Sequence, residues 1–167
     1  MTGPGMRVLF CGINPSLYSG AVGHHFARPG NRFWKALHSG GFTDRVLSPF
    51  EDGLLPGHGL GITNLVSRAT GAASELSPGE LRLGAGRVAR LVGGLRPGFV
   101  AFLGLGAYRT AMDRTGAAVG LQPERMGPAS IWLLPNPSGL NASYQLPDLT
   151  EAFASLRAAA WPLGDSS

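Results

Sequence analysis

Apolar residues along this chain come in two kinds of run that alternate from one end to the other. Short unbroken runs at residues 8–11 (Val-Leu-Phe-Cys), 99–103 and 131–134 (Ile-Trp-Leu-Leu) read as strands covered on both faces, and another short strand is expected at 61–66. Between them the apolar positions take a helical period. Asn31 stands as N-cap to a helix through Phe33, Trp34 and Leu37, which Gly40 and Gly41 stop. The clearest helix opens at Ser77-Pro78-Gly79-Glu80, where serine caps, proline takes the first helical position and glutamate reaches back. It carries Leu81, Val88, Leu91, Val92 and Leu95 on one face, and Gly84 and Gly86 point to close packing against a neighbour. A short helix is expected at 106–115 and a final one at 146–160, with Leu149, Phe153 and Leu156 turned inwards. Residues 18–26, small and without a period, read as a long functional loop.

Strand and helix alternate four times. That order predicts an α/β fold, a three-layer α/β/α sandwich around a mostly parallel four-stranded sheet, formed as one domain over 1–167. A hydrophobic share of 44% supplies a core and excludes a disordered chain. Charged residues make up 14%, against about a quarter in ordinary domains, while 26 Gly and 13 Pro put much of the chain into turns. Basic residues exceed acidic ones by 14 to 10, and all but Lys35 are arginine. Such enrichment reflects either genome composition or contacts to phosphate, for which the planar guanidinium is well suited. The lone Cys11 excludes an internal disulfide and a thiolate-held iron–sulfur cluster, and it fits a reducing, cytoplasmic setting. Neither a signal-peptide pattern nor an apolar run of membrane-spanning length is present in the sequence, so a soluble protein is expected.

Two polar loops carry the chemistry. Gly12-Ile13-Asn14-Pro15-Ser16 follows the first strand and Asn136-Pro137-Ser138-Gly139-Leu140 follows the last, about 120 residues later. Ligands of open parallel sheets gather at the carboxyl ends of the strands, so both loops can face one site. Each holds an asparagine, which donates and accepts hydrogen bonds but does not titrate, a pairing suited to positioning rather than acid–base exchange. Other motifs are weaker. Gly104-Leu105-Gly106 has Arg109 where a dinucleotide fingerprint needs its third glycine, and reads as a tight strand-to-helix turn. Ser138 lacks the Gly-x-Ser-x-Gly elbow of a serine hydrolase, and His24-His25 has no ligand at metal-site spacing.

Taken in order, Gly12-Ile13-Asn14-Pro15, then Phe26-Ala27-Arg28-Pro29-Gly30-Asn31-Arg32-Phe33-Trp34-Lys35, then Asn136-Pro137-Ser138-Gly139-Leu140 resemble the mismatch-specific uracil-DNA and thymine-DNA glycosylase family. Residues 61–66 and the closing helix match in kind and order, so the resemblance covers nearly the whole chain. It implies an α/β/α glycosylase fold and a cofactor-free, metal-free monomer. The implied reaction flips uracil, or another pyrimidine, out of duplex DNA and hydrolyses its glycosidic bond to leave an abasic site. By the same resemblance Asn14 and Asn136 are the catalytic pair, Asn14 positioning the water and Asn136 standing where faster uracil glycosylases have histidine. Ile13, Ser19 and Phe26 would bind the base, Phe26 by stacking worth about 1–3 kcal/mol. Ser138, Gly139, Leu140 and Asn141 would enter or touch the duplex, Leu140 replacing the lost stack. Three positions depart from the family pattern. Ser16 stands in place of glycine, Tyr18 is bulkier than its counterpart, and Asn141-Ala142 occupies the place of Ser-Arg, which removes a direct contact to the opposite base. His24-His25-Phe26 is closer to the eukaryotic thymine-processing branch. The two remaining functional classes are a nucleotide-binding module and a catalytically silent DNA-binding protein on the same fold.

Overall fold

A computed structural model describes residues 5–162. Its strands β1 (Val8–Gly12), β2 (Leu60–Asn64), β3 (Phe99–Leu103), β4 (Gly120–Met126) and β5 (Ala129–Leu134) form one sheet in the order β2-β1-β3-β5-β4. The first four in that order run parallel, and β4 closes the edge antiparallel to β5. β1 is buried along its whole length, as an unbroken apolar run requires. Its side chains alternate between two cores. Val8 and Phe10 join Phe33, Leu37, Phe153 and Leu156, so helices α2 (Phe33–Ser39) and α5 (Leu146–Ala160) cover one face. Leu9 and Cys11 join Val88, Val92 and Tyr108, so α3 (Pro78–Leu95) and α4 (Leu105–Ala111) cover the other. This is the expected three-layer α/β/α arrangement.

The sheet has five strands where four are expected, and the extra one is instructive. Along β4 only Gln122 and Met126 are buried, and the register slips between Leu121 and Arg125, the stretch that contains Pro123. An edge strand tolerates proline and a bulge, and both erase the alternation by which strands are read. A short helix α1 (Leu17–Val22) likewise overlaps the stretch 18–26 expected as loop. Among its residues only Ser19 is buried, so it has no apolar stripe, yet Ser16 caps it by accepting from Ser19 N–H at 3.0 Å. A 3₁₀ segment spans Pro49–His58, and α4 ends at Ala111 rather than 115.

The capping box expected at Ser77 and Glu80 is present, whereas the N-cap of α2 is Arg32 and Asn31 stands one residue before it, its Oδ1 accepting from Phe33 N–H at 2.9 Å. A Cβ at Gly84 would lie 2.1 Å from Leu65 O, so α3 sits directly on the chain leaving β2. Gly86 has no such reason, its nearest neighbour being a flexible arginine tip at 3.9 Å. Cys11 is buried, and desolvation pushes its thiol far above the ordinary range. Among the described residues no helix is long and apolar enough to cross a membrane.

Candidate active site

The parallel strands deliver their carboxyl ends to one edge of the sheet, and β1 and β5 flank β3 there rather than lying side by side. Between them sits Gly104, at φ +134°, where a Cβ would come 3.1 Å from Ile13 Cδ1 and 3.8 Å from Asn136 Cβ. Glycine at the end of β3 therefore lets the two polar loops converge. They do so on a cavity of about 360 Å³, at the small end of ligand sites, lined by Ile13, Asn14, Ser19, Phe26, Asn136, Ser138 and Leu140 together with Asn64 and Thr70. A smaller hollow of about 180 Å³ adjoins it between residues 28–31 and Ser138, Gly139 and Leu140.

The two asparagines face this space with opposite polarity. Asn14 Nδ2 donates to Arg68 O at 2.8 Å and to Thr70 Oγ1 at 2.8 Å. A carbonyl can only accept, and the Thr70 hydroxyl gives its own hydrogen to Ala72 O at 2.8 Å, so the amide orientation is fixed. Both N–H groups of Asn14 are thereby engaged and its Oδ1 is left as an acceptor at the cavity. Asn136 is turned the other way. Its Oδ1 accepts from Ser138 N–H at 3.0 Å in an Asx turn, which leaves Nδ2 as a donor. The Asx turn and a role at the site are thus compatible.

Phe26 holds a left-handed backbone at φ 51° and packs on Phe33, ring centroids 4.3 Å apart and 28° from parallel. It is at once an anchor to the core and part of the cavity lining. Asp52, buried, fixes the segment before it by accepting from His25 N–H at 3.3 Å and by pairing with His24 Nδ1 at 3.3 Å. Burial holds the His25 imidazole below its ordinary pKa, so its neutral form is favoured. The described residues contain no group of three or more His, Cys, Asp or Glu able to hold a metal ion.

Four residues expected at the ligand also hold the chain around the site. Ser19 lines the cavity, but its Oγ accepts from Ala27 N–H at 2.9 Å and so ties α1 to the Phe26 loop. Ile13 reaches the cavity while its carbonyl accepts from Val66 N–H at 2.9 Å. Asn141 lies outside the cavity lining, its Nδ2 on Asn136 O at 3.0 Å and its Oδ1 on Ser143 N–H at 3.2 Å, so its amide shapes the second loop. Gly139 lies in the smaller hollow, and its reason is equally internal, since a Cβ there would stand 2.6 Å from Gly30 O. Leu140 is 73% exposed at the loop tip.

Residues that pattern alone does not single out complete the site. Thr70 and the Arg68 carbonyl orient Asn14 from a segment without periodicity. Asn64 ends β2 opposite Gly12 and adds a third amide to the lining; a polar residue inside the strand expected at 61–66 is the available signal. Arg32 gathers carbonyls of the second loop, a partner set made of backbone and therefore invisible in sequence.

A family model for the uracil DNA glycosylase superfamily matches residues 1–160. The match spans both loops, the whole sheet and the cavity between them. With its parallel sheet between helices and its paired amides at the strand ends, the chain belongs to the uracil DNA glycosylase superfamily.

Proposed function

We propose that the protein is a monofunctional DNA glycosylase that takes uracil from duplex DNA, most readily where the base is poorly paired. The observation that carries this reading is the opposed presentation of two amides, an acceptor from Asn14 and a donor from Asn136, across one aromatic-floored cavity. Cleaving the C1′–N1 bond sends its electron pair to the base and leaves cationic character on the sugar. Asn136 Nδ2 is placed to donate to the base carbonyl that gains charge. Asn14 Oδ1 is placed to hold the water that attacks C1′, and its carbonyl dipole favours the cationic sugar. Asn64 offers donor and acceptor together for the polar edge of the base, and Phe26 offers a stacking face.

An amide takes no proton, so Asn14 only orients the water, which gives up its proton to the departed base anion as it adds to C1′, and the turnover is slow relative to enzymes with a titrating base. The protein acts as a monomer without metal or cofactor. Lys35 is the only lysine of the chain and does not line the cavity, which supports hydrolysis without a Schiff base. Leu140 at its exposed tip suits entry into the stack, and a mismatched base costs least to extrude. Thymine and damaged cytosines opposite guanine are the further candidate substrates.

The test is incubation with a labelled duplex containing one G·U pair, followed by alkali. Strand cleavage with alkali only, and no adduct trapped by borohydride, is expected. An intact strand after alkali overturns the enzyme reading in favour of a silent binding protein, and cleavage without alkali overturns the monofunctional one.

A further inference from the structure

The loop that carries Leu140 has almost no bond to the sheet. Its own side chains shape it: Ser138 N–H donates to Asn136 Oδ1 at 3.0 Å, Leu140 N–H to Ser138 Oγ at 3.2 Å, Asn141 N–H to Ser138 O at 3.0 Å. Turns built this way leave several carbonyls pointing inwards, and one side chain collects them. Arg32 Nη1 donates to Tyr144 O at 2.5 Å, Nη2 to Ser138 O at 2.6 Å and to Asn141 O at 3.1 Å, and Nε to Pro137 O at 3.4 Å. Four of the five guanidinium hydrogens are thus used on a single loop. Among the described residues no carboxylate pairs with Arg32, so its charge strengthens the bonds to those carbonyls. Its neighbour Phe33 backs the aromatic floor through Phe26.

We propose that Arg32 is a positioning residue for duplex extrusion, a guanidinium clamp that holds the Leu140 loop in the shape needed to enter the stack. The proposal rests on the glycosylase reading above. Ser138 and Leu140 line the cavity, but Asn14 and Asn136 keep anchors apart from the guanidinium. Asn14 is fixed by Arg68 O and Thr70, and Asn136 stays tied through Arg32 N–H to Pro137 O at 2.9 Å, a backbone bond that any side chain at position 32 leaves intact. Uracil in single-stranded DNA needs no extrusion from a stack, so it should report on the pocket alone.

The experiment compares Arg32→Lys and Arg32→Ala with the unaltered protein. Lysine keeps the charge but has neither the planar fork nor its reach over four carbonyls. Amide hydrogen exchange is expected to speed up by about tenfold at Ser138, Leu140, Asn141 and Ser143 in both variants. In single-turnover excision, the ratio of the G·U duplex rate to the single-strand rate is expected to fall by about tenfold. Equal loss on both substrates, from a disturbed pocket or an unfolded chain, overturns the proposal, as does unchanged exchange in the loop. No excision by the unaltered protein overturns the glycosylase reading and the extrusion role with it, while faster exchange in the variants would still establish the clamp.

Discussion

The two loops that meet at the cavity are held in different ways. The first is bonded to the chain leaving β2, the carbonyls of Gly12, Ile13 and Pro15 accepting from the N–H groups of Leu65, Val66 and Thr70 at 2.9, 2.9 and 3.2 Å. The second leaves the sheet at Leu134 and depends on its own Asn and Ser side chains and on Arg32. Asn14, which would hold the attacking water, therefore rests on distributed backbone bonding. The groups that would act on the helix stack rest on a few side chains. Chemistry tolerates little misplacement, about 100-fold for 1 Å, whereas a wedge can settle against its partner as it enters.

That contrast can be broken from either side. Asn14→Ala removes the acceptor from the rigid loop and is expected to lower single-turnover excision by about 100-fold on duplex and single strand alike, with duplex affinity nearly unchanged. A duplex-selective loss would show that the first loop also serves extrusion. Leu140→Ala should do the opposite, costing about tenfold on a well-paired A·U duplex, less on G·U and least on single strands, because flipping a paired base costs a few kcal/mol. Uniform loss would show that Leu140 supports the fold.

Thr70→Val sharpens the comparison within the rigid loop. It is nearly isosteric and removes one of the two acceptors that fix the Asn14 amide. A fall of about fivefold in the chemical step is expected, on the scale of one hydrogen bond, with Kd for the duplex unchanged. An equal fall in affinity would move Thr70 from orientation to binding.

The smallest effect concerns His25. Its folded-state pKa lies below the ordinary 6.5, chiefly through burial. The unfolded chain then binds the proton more readily, so the stabilisation is complete above pH 6.5 and is lost as pH falls from there through the folded value. His25→Gln should remove this part of the pH dependence of Tm, at most about one proton per molecule. A profile unchanged by the substitution would show that the imidazole is as hydrated in the fold as in the open chain.

How far the sequence carried this picture follows from burial. β1, β3 and β5 are covered on both faces, so their apolar runs are unbroken and legible. β4 is not, because an edge strand with Pro123 turns only Gln122 and Met126 inwards. The identities of Asn14, Phe26, Asn136 and Leu140 were readable from their place after strands and in loops. The direction of the Asn14 amide was not, since Arg68 and Thr70 lie 54 and 56 residues from it along the chain. The bonds that Ser19 and Asn141 make within the chain are not legible in sequence, because a polar loop residue looks free until its partners are known. Arg32 stood in view among thirteen arginines, but carbonyl partners leave no mark in a sequence.

Cys11, packed beneath the sheet with its thiol held protonated, has a practical corollary. Maleimide and other thiol reagents need an accessible thiolate, so the native protein should remain unlabelled while folded. A cysteine placed at the exposed Ala142 would then be the only reactive thiol on the molecule. A fluorophore attached there would sit beside Leu140, and its emission would follow the loop into and out of a duplex in real time without removing the natural cysteine.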